Sequence, residues 1–319
     1  SLNKLGNVQA EAGELAAARK SFEDSLQIAR RLAAADLGSA QAQRDVSVTL
    51  IKLGDVQMTA GDLAAARKSF EASHQIRKRL ATADLGSAEA QRDVSVCLEK
   101  LGDAQVTAGD LAAARQSFQN SHQIYTRLAT ANPGSAEAQR DVSVSLNKLG
   151  NVQASAGDLA AARKSFEDSL RIARRLAAAN PGSAQAQRDV SISLEKLGGV
   201  QADAGDLTSA RESFENSHQI RTRLAAANPG SAQAQRDVSV SLNRLGDAQK
   251  AAGDLAADLK LFLARRPVSV SPRGRVARLL VFAECTGLTM VACVASNSPL
   301  SVGACCSSGQ LSRSMGGSL

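Results

Sequence analysis

A 48-residue period runs through this chain and constrains its fold more than any other feature. A version of Leu-x-Lys-Leu-Gly is written six times: Leu2 to Gly6, Leu50 to Gly54, Leu98 to Gly102, Leu146 to Gly150, Leu194 to Gly198 and Leu242 to Gly246. Six of the seven phenylalanines keep the same beat, namely Phe22, Phe70, Phe118, Phe166, Phe214 and Phe262. A repeat of this length means a stack of like supersecondary units, not the single core of a globular enzyme.

Residues 39–86 show the plan of one unit. Ser39 is placed to cap a helix, and Val46, Leu50 and Leu53 follow at helical spacing. Ala60-Gly61-Asp62 breaks the run. Leu63, Ala66, Phe70, Ser73, Arg77 and Leu80 then recur at steps of three and four, and Asp84-Leu85-Gly86 closes the unit. In later repeats the closing turn becomes Asn132-Pro133-Gly134 and its equivalents at Pro181 and Pro229, where proline ends a helix. The unit is therefore an αα-hairpin of two helices of about 20 residues, each about 30 Å long. With only 3% aromatic residues and no Trp, the core must be built from Ala, Leu, Val and Ile.

Gly54 stands inside the first helix, where glycine costs about 1 kcal/mol against alanine. Its return in every repeat predicts a close helix approach, with Ala66, Ala114, Ala162 and Ala210 as the small partners on the second helix. Phe70 and its equivalents are expected to fill the space between successive hairpins.

Leu53-Gly54, Gly61-Asp62-Leu63, Ala66, Phe70 and the small Ser73 together resemble the signature of the tetratricopeptide repeat. That family's usual unit is 34 residues, so about two turns added to each helix explain the length. The long version resembles kinesin-light-chain-like and bacterial signalling tetratricopeptide proteins, and the match covers about residues 1–263. The resemblance implies a right-handed α-solenoid of about six antiparallel helix hairpins, the first truncated and the last degenerate. It also implies a non-catalytic scaffold or adaptor that holds a peptide or helix on a concave face lined by the first helices. Gln57, where the family often has Tyr, implies a more polar groove wall.

On that face the resemblance places three registers. The first holds Asn3, Ile51, Glu99, Asn147, Glu195 and Asn243. The second holds Lys4, Lys52, Lys100, Lys148, Lys196 and Arg244. The third holds Asn7, Asp55, Asp103, Asn151, Gly199 and Asp247. Asn and Lys here resemble the clamp that some members place on a peptide's terminal carboxylate, while the interspersed acids dilute the positive field. Against a peptide groove stands the plainer reading of a solvated polar face.

Other chemistry finds little support. His74, His122 and His218 share one phase that Leu26 and Leu170 fill elsewhere, so they read as half-buried side chains and not as metal ligands or catalytic groups. No nucleophile elbow, triad spacing or phosphate loop is present. The chain reads as no enzyme, and no cofactor or metal is expected. Arg44-Asp45, Arg92-Asp93, Arg140-Asp141, Arg188-Asp189 and Arg236-Asp237 are expected to form a structural ladder between hairpins.

The net charge of +7 is uneven. Residues 264–319 hold six Arg and one acid, Glu284, leaving residues 1–263 at +2. Nearly neutral repeats and a single Tyr, Tyr125, argue against nucleic acid. Cys97 reads as a small filler, and Cys285, Cys293, Cys305 and Cys306 form neither a disulfide framework nor a zinc spacing. That usage, with no signal peptide, suits a reduced, cytoplasmic protein. The chain opens without Met inside a repeat, as a fragment or trimmed chain would. The tail, 264–319, reads as disordered, frameshifted or a capping segment, with a membrane anchor at 279–295 as a further alternative. A second functional reading is a regulatory or sensor repeat fragment of a larger bacterial signalling protein, with a separate NTPase or protease module.

Overall fold

In the computed structural model the residues described are 1–251, 253, 281–285 and 288–292. The chain divides into two units, Ser1–Arg266 and Pro267–Leu319. Within the first, the described residues form eleven helices: α1 (Leu2–Glu11), α2 (Leu15–Ala35), α3 (Ala40–Thr59), α4 (Leu63–Ala83), α5 (Ala88–Thr107), α6 (Leu111–Ala131), α7 (Ala136–Ser155), α8 (Leu159–Ala179), α9 (Ala184–Asp203), α10 (Leu207–Ala227) and α11 (Ala232–Ala251). They pack consecutively into five hairpins plus an unpaired eleventh helix among the described residues, an all-α repeat solenoid. Phe262 and the rest of the sixth hairpin expected from the sequence lie outside the described residues.

The helix boundaries follow from local chemistry. The Oγ of Ser39, Ser87, Ser135 and Ser183 accepts from a backbone N–H three residues on, capping the first helix of each pair. Asp62, Asp110, Asp158 and Asp206 do the same for the second. Between the two helices Gly61 and its equivalents adopt φ near +80°, a left-handed turn that a side chain would strain.

The recurrent helical glycine has a different partner from the one its sequence context predicts. A Cβ at Gly54 would lie 2.6 Å from the ring of Phe70, and the same contact recurs at Gly102 with Phe118, Gly150 with Phe166 and Gly198 with Phe214. The glycine makes room for a phenyl ring of its own hairpin, not for Ala66. An aromatic ring is larger than a methyl group, so the glycine is what lets it enter the gap. The ring then reaches the next hairpin, as expected: Phe70 and Ala66 cluster with Leu101 and Ala104 of α5. Each such ring contributes about 1.5–3 kcal/mol by burial.

Gln57 also departs from expectation. It is buried, and its Oε1 accepts from Ser69 Oγ at 2.8 Å, so it is an internal strut and not a groove wall. The strut repeats at Gln9–Ser21, Gln105–Ser117, Gln153–Ser165 and Gln201–Ser213.

The backbones of first helices in neighbouring hairpins approach one another (α1 with α3, α3 with α5, and so on to α11), whereas those of second helices stay farther apart and meet only through side chains such as Arg19, which reaches the Asp62 cap at 3.4 Å. The array therefore curves with its first helices on the tighter, inner side.

In the second unit, β1 (Val281–Cys285) and β2 (Leu288–Ala292) pair antiparallel, with Val281 opposite Ala292. These strands fall within the 279–295 segment weighed above as an anchor. No described helix is long and apolar enough to cross a membrane. The remainder of 264–319, and with it the cap, frameshift and disorder readings, lies outside the described residues.

Candidate functional site

Two ion-pair ladders cross the inner side. In the first, Arg44 donates to Asp93 at 2.9 and 3.0 Å, Arg92 to Asp141 at 2.8 Å, Arg140 to Asp189 at 2.5 Å and Arg188 to Asp237 at 2.6 Å. Each arginine reaches the acid of the following repeat, as the sequence period predicts. These aspartates are only 11–25% exposed, so the pairs act as stacking bonds more than as surface decoration.

The second ladder uses candidate groove residues. Lys52 Nζ donates to Asn7 Oδ1 at 3.0 Å, Lys100 to Asp55 at 2.7 Å and Lys148 to Asp103 at 2.7 Å. Lys148 also lies 5.6 Å from the centre of the Phe118 ring. These lysines are held by the preceding repeat and do not present free ammonium groups. At Gly199 the acid is missing, and Arg244 turns to Glu195 at 3.6 Å instead. The side chains of Lys4, Asn151, Lys196, Asn243 and Asp247 make no hydrogen bond or ion pair among the described residues.

The register of Asn3, Glu99, Asn147 and Glu195 is half-buried between first helices. Asn3 Nδ2 donates to Thr49 Oγ1 at 3.1 Å, and Asn147 Nδ2 to Ser193 Oγ at 3.3 Å. The other end of each side chain is unmatched: Asn3 Oδ1, Asn147 Oδ1 and Glu99 Oε1 have no hydrogen-bond partner. Burial pushes the Glu99 carboxyl up to about 7, with Asp103 and Asp141 adding to the rise and Lys148 and Lys100 opposing it. Glu195, two repeats on, instead meets the buried guanidinium of Arg221.

Arg221 was legible in the sequence only as a break in pattern. Its phase holds Ala29, Arg77, Tyr125, Ala173 and Arg221, a buried register that changes character from repeat to repeat. Arg77 donates to Ser47 Oγ at 3.1 Å and to the carbonyl of Asp93 at 3.2 Å, and pairs with the Asp93 carboxylate at 2.9 Å.

The histidines are structural. His122 Nδ1 lies 3.0 Å from Ser145 Oγ, and His218 Nδ1 lies 3.0 Å from Ser241 Oγ. Cys97 takes the serine's place opposite His74, whose Nδ1 has no partner; the Cys97 Sγ lies 3.3 Å from Ser73 Oγ. Burial pushes all three imidazoles down and the Cys97 thiol up. Among the described residues no group of three or more His, Cys, Asp or Glu converges in a metal-holding arrangement.

An open stack of capped hairpins with a polar inner register defines a helical-repeat protein, a fold class typical of protein-interaction scaffolds. A tetratricopeptide-repeat family model matches residues 1–36 and 142–180 of the chain. No curated protein matches it in sequence. Its fold is similar to that of BtubC from P. vanneervenii, at 18% identity and a TM-score of 0.59, over 83% of this chain and 97% of that one. It is also similar to kinesin-light-chain-like repeats from Podosopora anserina, at 17% identity and a TM-score of 0.53, over 71% of this chain and 95% of that one. A signal-transduction ATPase with numerous domains from Pyrococcus horikoshii, bearing a tetratricopeptide repeat sensor, matches at 14% identity and a TM-score of 0.51, over 83% of this chain and 37% of that one.

Proposed function

We propose that the repeat array, residues 1–263, is a non-catalytic scaffold that holds an extended peptide or a helix of a partner protein against its first helices. The observation that supports this most is the run of unmatched acceptors at one register: Asn3 Oδ1, Glu99 Oε1 and Asn147 Oδ1. A buried acceptor without a donor costs about 1–3 kcal/mol. A partner supplying backbone N–H groups or a cationic side chain, after a small side-chain shift, would recover that cost repeat by repeat.

The contact set differs from a simple Asn/Lys clamp. Lys52, Lys100 and Lys148 hold neighbouring repeats together, so their removal would loosen stacking as well as any groove. Asn151 and Lys196, which make no such bond, are the cleaner probes. The test is capture of partners by the full chain, followed by the same capture with Asn151→Ala/Lys196→Ala. Loss of the captured protein with unchanged helix content supports the groove. Undiminished capture contradicts it.

A second reading takes the chain as the sensor part of a larger signalling protein. The similarity to the repeat sensor of the Pyrococcus horikoshii ATPase, of which this fold covers 37%, favours it. Reading the gene around this chain decides: an adjoining NTPase or protease module supports the sensor, and repeats alone contradict it.

A further inference from the structure

The C-terminal halves of the second helices carry an unbalanced basic strip. In residues 27–35, 75–83, 123–131, 171–179 and 219–227 there are eleven Arg or Lys and no Asp or Glu, although residues 1–263 as a whole stand at only +2. Arg77 and Arg221 are buried, and the other nine are exposed. One register is arginine in every repeat: Arg31, Arg79, Arg127, Arg175 and Arg223. A second cation precedes it in three of them, at Arg30, Lys78 and Arg174. Because each second helix runs in the same direction, these ends fall along one edge of the array.

The structure consumes little of this charge: among the exposed cations Arg171 pairs with Asp168 at 2.6 Å, and Arg223 Nε donates to the Gln219 carbonyl at 3.4 Å. Arg31, Arg79 and Arg127 make no ion pair among the described residues. Arg175 donates to Gln139 at 2.7 Å, and that facing register is neutral throughout: Gln43, Gln91, Gln139, Gln187 and Gln235. The helix dipole does not explain the strip either. Its influence is confined to the last turn, and none of α2, α4, α6, α8 or α10 has a basic residue there. The following loops begin with Asp36 and Asp84 and then change to Asn132, Asn180 and Asn228, so acid disappears along the array while arginine persists. Two shallow depressions of about 420 and 460 Å³ border the strip, one lined by Arg30 and Arg31 together with Glu23, the other by Lys78 and Arg79 with no acid.

We propose that this edge is a docking strip for an acidic, Asp/Glu-rich extended segment of a partner protein. Charge complementarity selects an anion. The surface chemistry selects protein over nucleic acid: Tyr125 and the phenylalanines Phe22, Phe70, Phe118, Phe166 and Phe214 are all buried, so the described residues of the array offer no aromatic face on which a base could stack. Evenly spaced guanidinium groups on successive helices suit carboxylates strung along an extended chain. The strip stands apart from the inner register and does not depend on it.

The test uses the full chain and a fluorescein-labelled peptide of alternating Glu and Ser, read by anisotropy at low and raised salt. The Lys-Ser counterpart and a polyuridylate of matched length serve as controls. The expected result is salt-sensitive binding of the Glu-Ser peptide, weakened roughly tenfold or more by R31E/R79E/R127E with helix content unchanged. The variant keeps the arginine-rich tail, so binding there would survive the change. Undiminished binding by the variant, no binding by the wild-type chain at low salt, or equal binding of polyuridylate would each overturn the proposal.

Discussion

Glu99 in the hairpin α5/α6 and Glu195 in α9/α10 occupy the same register, two repeats apart, in nearly the same sequence. Around Glu195 the hairpin is complete: Arg221 meets its carboxylate and also reaches Ser191 Oγ and the carbonyl of Asp237, and Ser217 Oγ donates to the Ser191 carbonyl. Around Glu99 it is not. Tyr125 stands where Arg221 stands, and both Glu99 Oε1 and Ser121 Oγ lack partners. The backbone, the caps, the Gly–Phe contact and the Arg–Asp ladder are the same in both. The difference teaches that this array keeps its caps, its Gly–Phe packing and its Arg–Asp ladder uniform and varies the polar groups beneath its inner surface. Variation of that kind leaves a buried acceptor unmatched at Glu99 and matched at Glu195.

The largest expected effect comes from making the complete hairpin resemble the incomplete one. Arg221→Met strands the buried Glu195 with only Arg244 at 3.6 Å, and should lower unfolding free energy by about 3 kcal/mol, read by urea denaturation. The reverse change is smaller. Glu99 has a folded value of about 7, above its ordinary 4.5, so the native state binds more protons than the unfolded chain between those values. Stability therefore falls as pH rises from about 4.5 to about 7 and then levels off. Glu99→Gln should remove that decline and stabilise the chain at pH 8 by about 1–2 kcal/mol, in thermal scans at the two pH values.

Next comes a change that should not distinguish the hairpins. Gly102→Ala and Gly198→Ala drive a Cβ to within 2.7 and 2.8 Å of Phe118 and Phe214. Crowding should outweigh the gain in helix propensity, leaving a net loss of about 1 kcal/mol at either site. Unequal losses would mean that the two cores are packed differently. The smallest effect is a repair. Gly199 interrupts the Lys–Asp ladder and faces open space, so Gly199→Asp should offer Arg244 an acid and raise stability by about 0.5–1 kcal/mol.

Most of the architecture was legible because it repeats. Ser39, Gly61 and Asp62 announce helix ends by their backbone chemistry, and Ala40–Thr59 and Leu63–Ala83 come out as the helices their spacing predicts. The Arg44–Asp93 ladder follows from the period alone. What escaped depends on three-dimensional neighbours. Sequence spacing places Gly54 opposite small residues, and only packing shows the Phe70 ring above it. Gln57 reads as surface by its polarity and is buried because Ser69 satisfies it. Lys100 and Lys148 read as free charges, yet acids one repeat back hold them. Tyr125 and Arg221 share a buried register whose residue type changes between repeats, and their meaning appears once Glu99 and Glu195 are seen beside them.

The most direct test of the scaffold reading is site-specific photo-crosslinking in the full chain. A benzophenone side chain placed at Asn151 or Asp247, on the inner side, is compared with one at Lys68 or Lys164, on the exposed face of a second helix. Inner-face binding predicts a defined protein adduct from positions 151 and 247 that is absent from 68 and 164. Adducts formed equally at all four positions, or only at the outer pair, would contradict it.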